Sequence, residues 1–183
     1  DVLTSGVEYQ LNDTEDVILG YNRVVDQQVN SFGLYSQYEW KPLKDFTTLL
    51  GARLDHISVD GYYTIQNIER TSEVSETVLS PRITLLYDIT DELQFRGGYA
   101  RGFRAPQAFN EDLHISSVGG EQRFAILSDD LESEFSNAYT ASLNLTKNFN
   151  KTQTSLLVEG FYTTLQNPFT LVSTGASLPN GAI

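Results

Sequence analysis

The sequence predicts an all-β chain, an antiparallel up-and-down meander of about seven strands forming part of a transmembrane β-barrel. Three observations carry this. Apolar and polar residues alternate with a period of two along seven stretches. Short and long connections alternate strictly between those stretches. Aromatic residues flank the apolar positions at both ends, while the acidic excess falls in the long connections.

The strands follow in order. Stretch 2–10 sets Leu3, Ser5, Val7 and Tyr9 against Thr4, Gly6, Glu8 and Gln10. Successive side chains on a strand point to opposite faces, so one face is apolar and the other polar. Stretch 32–40 sets Leu34, Ser36, Tyr38 and Trp40 against Gly33, Tyr35, Gln37 and Glu39. Stretch 46–55 sets Phe46, Thr48, Leu50, Ala52 and Leu54 against Thr47, Leu49, Gly51, Arg53 and Asp55. Stretch 79–87 sets Pro81, Ile83, Leu85 and Tyr87 against Ser80, Arg82, Thr84 and Leu86. Stretch 93–103 sets Leu93, Phe95, Gly97 and Tyr99 against Gln94, Arg96, Gly98 and Ala100. Two further strands are predicted at about 137–145 and 154–164.

The connections 41–45, 88–92 and 146–151 have hairpin lengths. Those at about 12–31, 56–76 and 104–134 are long, and in a meander they all fall on one edge. Structureless loops of that length are unusual in a compact soluble domain and ordinary on the outer side of membrane barrels. These three segments carry −3, −3 and −5, which is −11 of the chain's net −12. Tyr9, Tyr99, Tyr139 and Tyr162 lie on the apolar face near the long-connection edge. Trp40, Phe46 and Tyr87 lie near the short-turn edge, with Phe149 in a turn. Aromatic rings settle at headgroup depth, so the two rows are expected to be membrane girdles.

Other chemistries lack their residues. A net charge of −12 argues against nucleic acid, whose phosphates need a basic face. There is no cysteine, hence no disulfide and no thiolate. The absence of methionine leads one to expect a mature form or an excerpt. No run of apolar residues is long enough for a membrane helix. No Gly-x-Ser-x-Gly elbow is present, and Gly97, Gly98 and Gly102 lack the Lys-Ser/Thr of a phosphate loop. His56 and His114 are far apart, so neither a metal site nor a cofactor is expected. The acidic run 129–134 is expected to be a solvated loop rather than a Ca²⁺ site. No convergent acid, base or nucleophile set is visible, so an enzyme is not expected.

By parity, Glu8, Glu39, Arg53, Asp55, Arg82, Arg96 and Glu159 fall on the polar face. In a large barrel that face meets the lumen and whatever fills it. Arg101 shares the apolar parity but stands near a strand end, where it can snorkel to headgroup phosphates. Arg104, Gln107, Phe109, Asn110 and Arg123 belong to the longest connection and are the candidate ligand contacts.

The stretch "LYSQYEWKPLKDFTTLLGARLDHIS" (34–58) resembles a strand, turn and strand of TonB-dependent outer-membrane receptors. "LSPRITLLYDITDELQFRGGYARGFRAPQAFNEDL" (79–113) resembles their most recognisable stretch, a Ser-Pro-Arg strand followed by a Phe-Arg-Ala-Pro strand end. "LESEFSNAYTASLNL" and "LLVEGFYTTLQNPF" resemble the next hairpin. The Phe-Arg-Ala-Pro end with "AFNEDLH" after it resembles receptors of Bacteroides-type bacteria for iron-chelate or cobalamin uptake.

The resemblance implies a 22-stranded barrel in the bacterial outer membrane with an N-terminal plug domain. Such a receptor takes up an iron chelate (siderophore or haem), cobalamin or a glycan. Its implied partners are outer-membrane lipid, its own plug and remaining strands, the TonB energy-coupling complex and a small-molecule nutrient. The chain shows no plug and no terminal aromatic strand, so residues 1–183 are expected to be a piece of the barrel. The alternative is a soluble or surface β-sheet binding module, for instance for glycans. It leaves the loop asymmetry and the aromatic rows without a cause.

Overall fold

A computed structural model describes residues 1–19, 22–65, 68–105 and 132–170. Among the described residues are seven strands: β1 (Val2–Ile18), β2 (Arg23–Leu43), β3 (Phe46–Ile65), β4 (Ile68–Asp88), β5 (Leu93–Arg104), β6 (Glu134–Phe149) and β7 (Thr152–Gln166). They form one sheet in chain order, every neighbouring pair antiparallel. The meander is open: β1 and β7 are its edges.

The short turns hold one edge. Two residues, 44–45, join β2 to β3, and two more, 150–151, join β6 to β7. Asn150 takes the left-handed conformation (φ 50°) that such hairpins require and that asparagine tolerates. In the 89–92 turn, Oγ1 of Thr90 accepts from the backbone N–H of Glu92 and of Leu93.

The opposite edge differs from expectation. Segments 12–31 and 56–76 are not long loops. β1 and β2 stay paired from Val2↔Glu39 to Ile18↔Arg23, and β3 and β4 as far as Ile65↔Ile68. The alternation continues through them, but the two faces exchange character. On the face that carried Leu34, Leu50 and Ile83, the continuation presents Asp13, Asp26, Asp60 and Glu73, all exposed. On the face that carried Glu8, Arg53 and Asp55, it presents the buried Val25, Ile57, Val59, Tyr63 and Val78. Parity is kept and polarity is inverted. A search for one unbroken apolar face therefore stops at the inversion and calls the remainder a loop.

β5 pairs with β4 only from Asp88↔Gln94 to Arg82↔Ala100. The next residue of β4 is Pro81, which has no N–H to donate to the ladder. Beyond this point β5 keeps its pairing with β6, out to Arg104↔Glu134, while the outer half of β4 pairs with β3 alone. The freed end of β5 lies across the extension. Ala105 is buried with Ile57 and Val59, and Phe103 packs against them with Val29 and Val74. Residues leading into β6 follow the same path: the Ser133 N–H donates to Glu76 of β4 (3.3 Å), and Ser133 is fully buried. This small core is where β2, β3, β4 and the end of β5 meet.

Candidate functional site

The apolar face is extensively exposed. Leu3 and Val7 are each 68% exposed, and Leu34, Tyr38, Leu50, Leu54 and Leu79 are exposed alongside them. A soluble monomer rarely leaves so large a contiguous apolar surface to water. One register row crosses all seven strands through Leu3, Tyr38, Leu50, Ile83, Tyr99, Tyr139 and Tyr162. It starts beside the first residue of β1 and finishes near the far end of β7. Strands about 4.8 Å apart and tilted near 40° displace such a row by about 18 Å over six steps. That displacement is most of the ~25 Å height of the apolar band of an outer-membrane barrel.

Aromatics gather at both ends of this face. Tyr99, Tyr139 and Tyr162 stack in series, with ring centroids 5.1 and 6.4 Å apart. The Tyr99 hydroxyl donates to Asn137 (2.9 Å), and the Tyr9 hydroxyl to Asn30 (3.0 Å). Phe46 and Tyr87 meet edge to face at 6.3 Å at the short-turn edge, where exposed Trp40 also stands. Phe149 there lies under the Lys147 ammonium (5.7 Å).

On the polar face the structure brings together three of the seven predicted charges. Arg53 Nε donates to both carboxylate oxygens of Asp55 (2.7 and 2.9 Å), and its Nη1 to Glu8 (3.1 Å). Asp55 is 2% exposed. The cluster needs Gly33, because a β-carbon there would collide with the Arg53 guanidinium and lie 2.8 Å from Asp55 Oδ1. Gly6 is covered in the same way by the Tyr35 ring. Glu39 pairs instead with Lys41 (2.6 Å). Arg82, Arg96 and Glu159 are exposed, the last two in one row with Ser142 between them.

Of the predicted ligand contacts, Arg104 alone falls among the described residues; Gln107, Phe109, Asn110 and Arg123 lie outside them. The Arg104 guanidinium sits over the Phe169 ring (4.7 Å) and 3.5 Å from Glu134. Glu134 also accepts from the Phe169 N–H (3.2 Å), and Glu132 accepts from Asn167 (3.3 Å). Within the acidic run 129–134, residues 129–131 lie outside the described residues, and Glu132 and Glu134 are engaged in these contacts.

Arg104 borders a cleft of about 280 Å³ where the end of β5 crosses the extension. Gln10, Asn12 and Ser31 supply hydrogen-bonding groups, and Val29, Ile57 and Phe103 an apolar wall. Sequence reasoning missed Gln10, Asn12 and Ser31. They come from two strands, and the register that joins them is not written locally. The mixture suits an organic molecule with an apolar body and polar edges.

The sequence pattern of the family described as "TonB dependent receptor-like, beta-barrel" matches residues 1–182. Among solved structures, the fold is similar to the alcaligin outer membrane receptor FauA from Bordetella pertussis, with a TM-score of 0.59 and 16% identity. That similarity covers 95% of this chain and 27% of FauA, so the chain spans about a quarter of the length of that protein. No curated protein sequence matches the chain.

Proposed function

Since this chain belongs to the family of TonB-dependent receptor-like β-barrels of the bacterial outer membrane, we propose that it is part of the wall of a receptor that imports a scarce nutrient. The family is one of transporters, not enzymes. The nutrient is proposed to be an iron chelate (siderophore or haem) or cobalamin, bound at the outer end of the barrel. The rest of the proposed whole is a plug inside the barrel, further strands that close it, and an energy-coupling complex that contacts the plug.

The cleft beneath the end of β5 carries this proposal. It lies at the edge remote from the short turns, on the face opposite the lipid-facing one, with hydrogen-bonding and apolar walls side by side. Arg104 offers a cation to an anionic chelate once its 3.5 Å contact with Glu134 is exchanged for the ligand. On the polar face, Glu8, Arg53 and Asp55 are proposed to line the lumen and meet the plug, with Glu39, Arg82, Arg96 and Glu159 as polar wall around them. Tyr9, Tyr99, Tyr139 and Tyr162 are proposed as the outer headgroup girdle, and Trp40, Phe46 and Tyr87 as the inner one.

The test is growth of a deletion strain on defined sources. Loss of growth on one iron chelate or on limiting cobalamin, restored by the full-length gene, supports the proposal. Unchanged growth and uptake on every such source contradicts it.

A further inference from the structure

Among the described residues that line the cleft beneath the end of β5, Arg104 alone is charged. Its guanidinium is nevertheless occupied on the side of β6. It lies 4.7 Å over the Phe169 ring, and its Nη2 stands 3.5 Å from Oε2 of Glu134. Arg104 and Glu134 are the last register pair of β5 and β6, so the two side chains leave the sheet on one face.

Phe169 reaches them because the chain turns just past β7. Asn167 takes the left-handed conformation (φ 52°), which asparagine tolerates, and its side-chain amide donates to Glu132 (3.3 Å). The Phe169 N–H donates to the same Oε2 of Glu134 (3.2 Å). The Glu134 side chain is 15% exposed and that of Arg104 48%. The carboxylate, held by a backbone N–H, is therefore the fixed partner, and the guanidinium the movable one. Their contact is long and uses one guanidinium nitrogen, whereas a well-seated anion takes two at about 2.7–2.9 Å.

We infer that Glu134 is a positioning residue that sets the charge of the ligand the cleft accepts. It holds the Arg104 guanidinium over Phe169 until a better anion takes it. A neutral ligand brings no exchange partner and leaves Arg104 in place. A ligand with a pair of negatively charged oxygens at its rim engages two guanidinium nitrogens and displaces Glu134, which engages one. Glu134 keeps the Phe169 N–H after the exchange. The class selected is an anionic iron chelate, and an uncharged chelate or corrinoid is disfavoured. This rests on the reading of the cleft as the nutrient site and narrows it.

The experiment titrates the full-length receptor in detergent with two anionic probes, a ferric tris-catecholate and haem, and two neutral ones, a ferric tris-hydroxamate and cyanocobalamin. The wild type is expected to bind an anionic probe and to prefer it to both neutral ones. Glu134→Gln keeps the shape of the side chain and its acceptor for the Phe169 N–H. It is expected to bind that anionic probe about fivefold more tightly, the weight of one partly exposed ion pair, with binding of the neutral probes unchanged. A merely structural role would weaken binding of every probe instead. Arg104→Gln is expected to weaken the anionic probe about tenfold, and Glu134→Gln added to it is expected to change nothing further. Unchanged or weaker binding of the anionic probe by Glu134→Gln, or a wild type that binds a neutral probe only, overturns this inference and leaves the nutrient reading standing. A wild type that binds none of the four overturns both.

Discussion

Arg53 Nε lies 2.7 Å from Oδ1 of Asp55, two residues along the same strand, and Gly33 of the neighbouring strand leaves the space for it. Asp55 is almost wholly buried, so its carboxylate depends on this partner. Arg53→Ala would leave a buried charge unpaired and is expected to cost about 3 kcal/mol. Replacing both, as Arg53→Gln with Asp55→Asn, is expected to cost less than either single removal. Thermal unfolding of the full-length receptor in detergent measures both.

Gly33→Val tests the same cluster from the other side. The added side chain would occupy the place of the guanidinium, and a small-to-large change in a packed site typically costs about 1–3 kcal/mol. Gly160 provides the control. A β-carbon there meets nothing within 4 Å, so Gly160→Ala is expected to leave the midpoint unchanged or raise it.

Tyr63 lies in the extension, beyond the exposed apolar band of the sheet. It is 4% exposed and its hydroxyl has no hydrogen-bond partner. Tyr63→Phe removes a buried unsatisfied group and is expected to be neutral or stabilising by up to about 1 kcal/mol. Burial pushes the Tyr63 pKa above its ordinary 10.0. The neutral phenol is therefore favoured in the folded state, and the unfolded chain ionises first as pH rises. The wild type is expected to lose stability above about pH 10 relative to Tyr63→Phe, with no difference at neutral pH. Midpoints of the two proteins across that range give the comparison.

The end of β5 is held by Ala105 against Ile57 and Val59. Ala105→Asp would place a carboxylate in this small core and is expected to release the end of β5 and deform the cleft beside Arg104. Nutrient uptake is expected to fall by at least tenfold while the receptor remains in the membrane at normal level. Asp60→Ala, on the opposite face of β3, is the control and is expected to leave uptake unchanged. Uptake by whole cells, normalised to receptor abundance, decides between them.

Seven strands and three tight turns were legible because each strand repeats one alternation between turn residues. Segments 41–45 and 146–151 read as hairpins from their length alone, and the structure narrows the turns to 44–45 and 150–151. The extensions were not legible as strands because polarity, not periodicity, changes beyond Tyr9 and Phe32. Asp13 and Asp60 then occupy the parity that a single-face reading assigns to apolar residues. The parting of β4 and β5 depends on Pro81 facing Ala100's neighbourhood across the sheet, which only the register reveals. The cleft was hidden for the same reason. Gln10, Ser31, Ile57 and Phe103 come from four strands and share no local pattern. Arg104 could be singled out because it ends a recognisable strand.

One face of this sheet is expected to meet lipid up to a boundary and, beyond it, water. Nitroxide labels at Leu50, Leu85, Asp13 and Asp60 of the full-length receptor in bilayers test it most directly. Leu50 and Leu85 are expected to be relaxed by oxygen, which concentrates in lipid, and shielded from a water-soluble nickel reagent. Asp13 and Asp60, on the continuation of that face, are expected to show the reverse. Leu50 and Leu85 shielded from both reagents, or all four sites relaxed by the nickel reagent, would contradict the account.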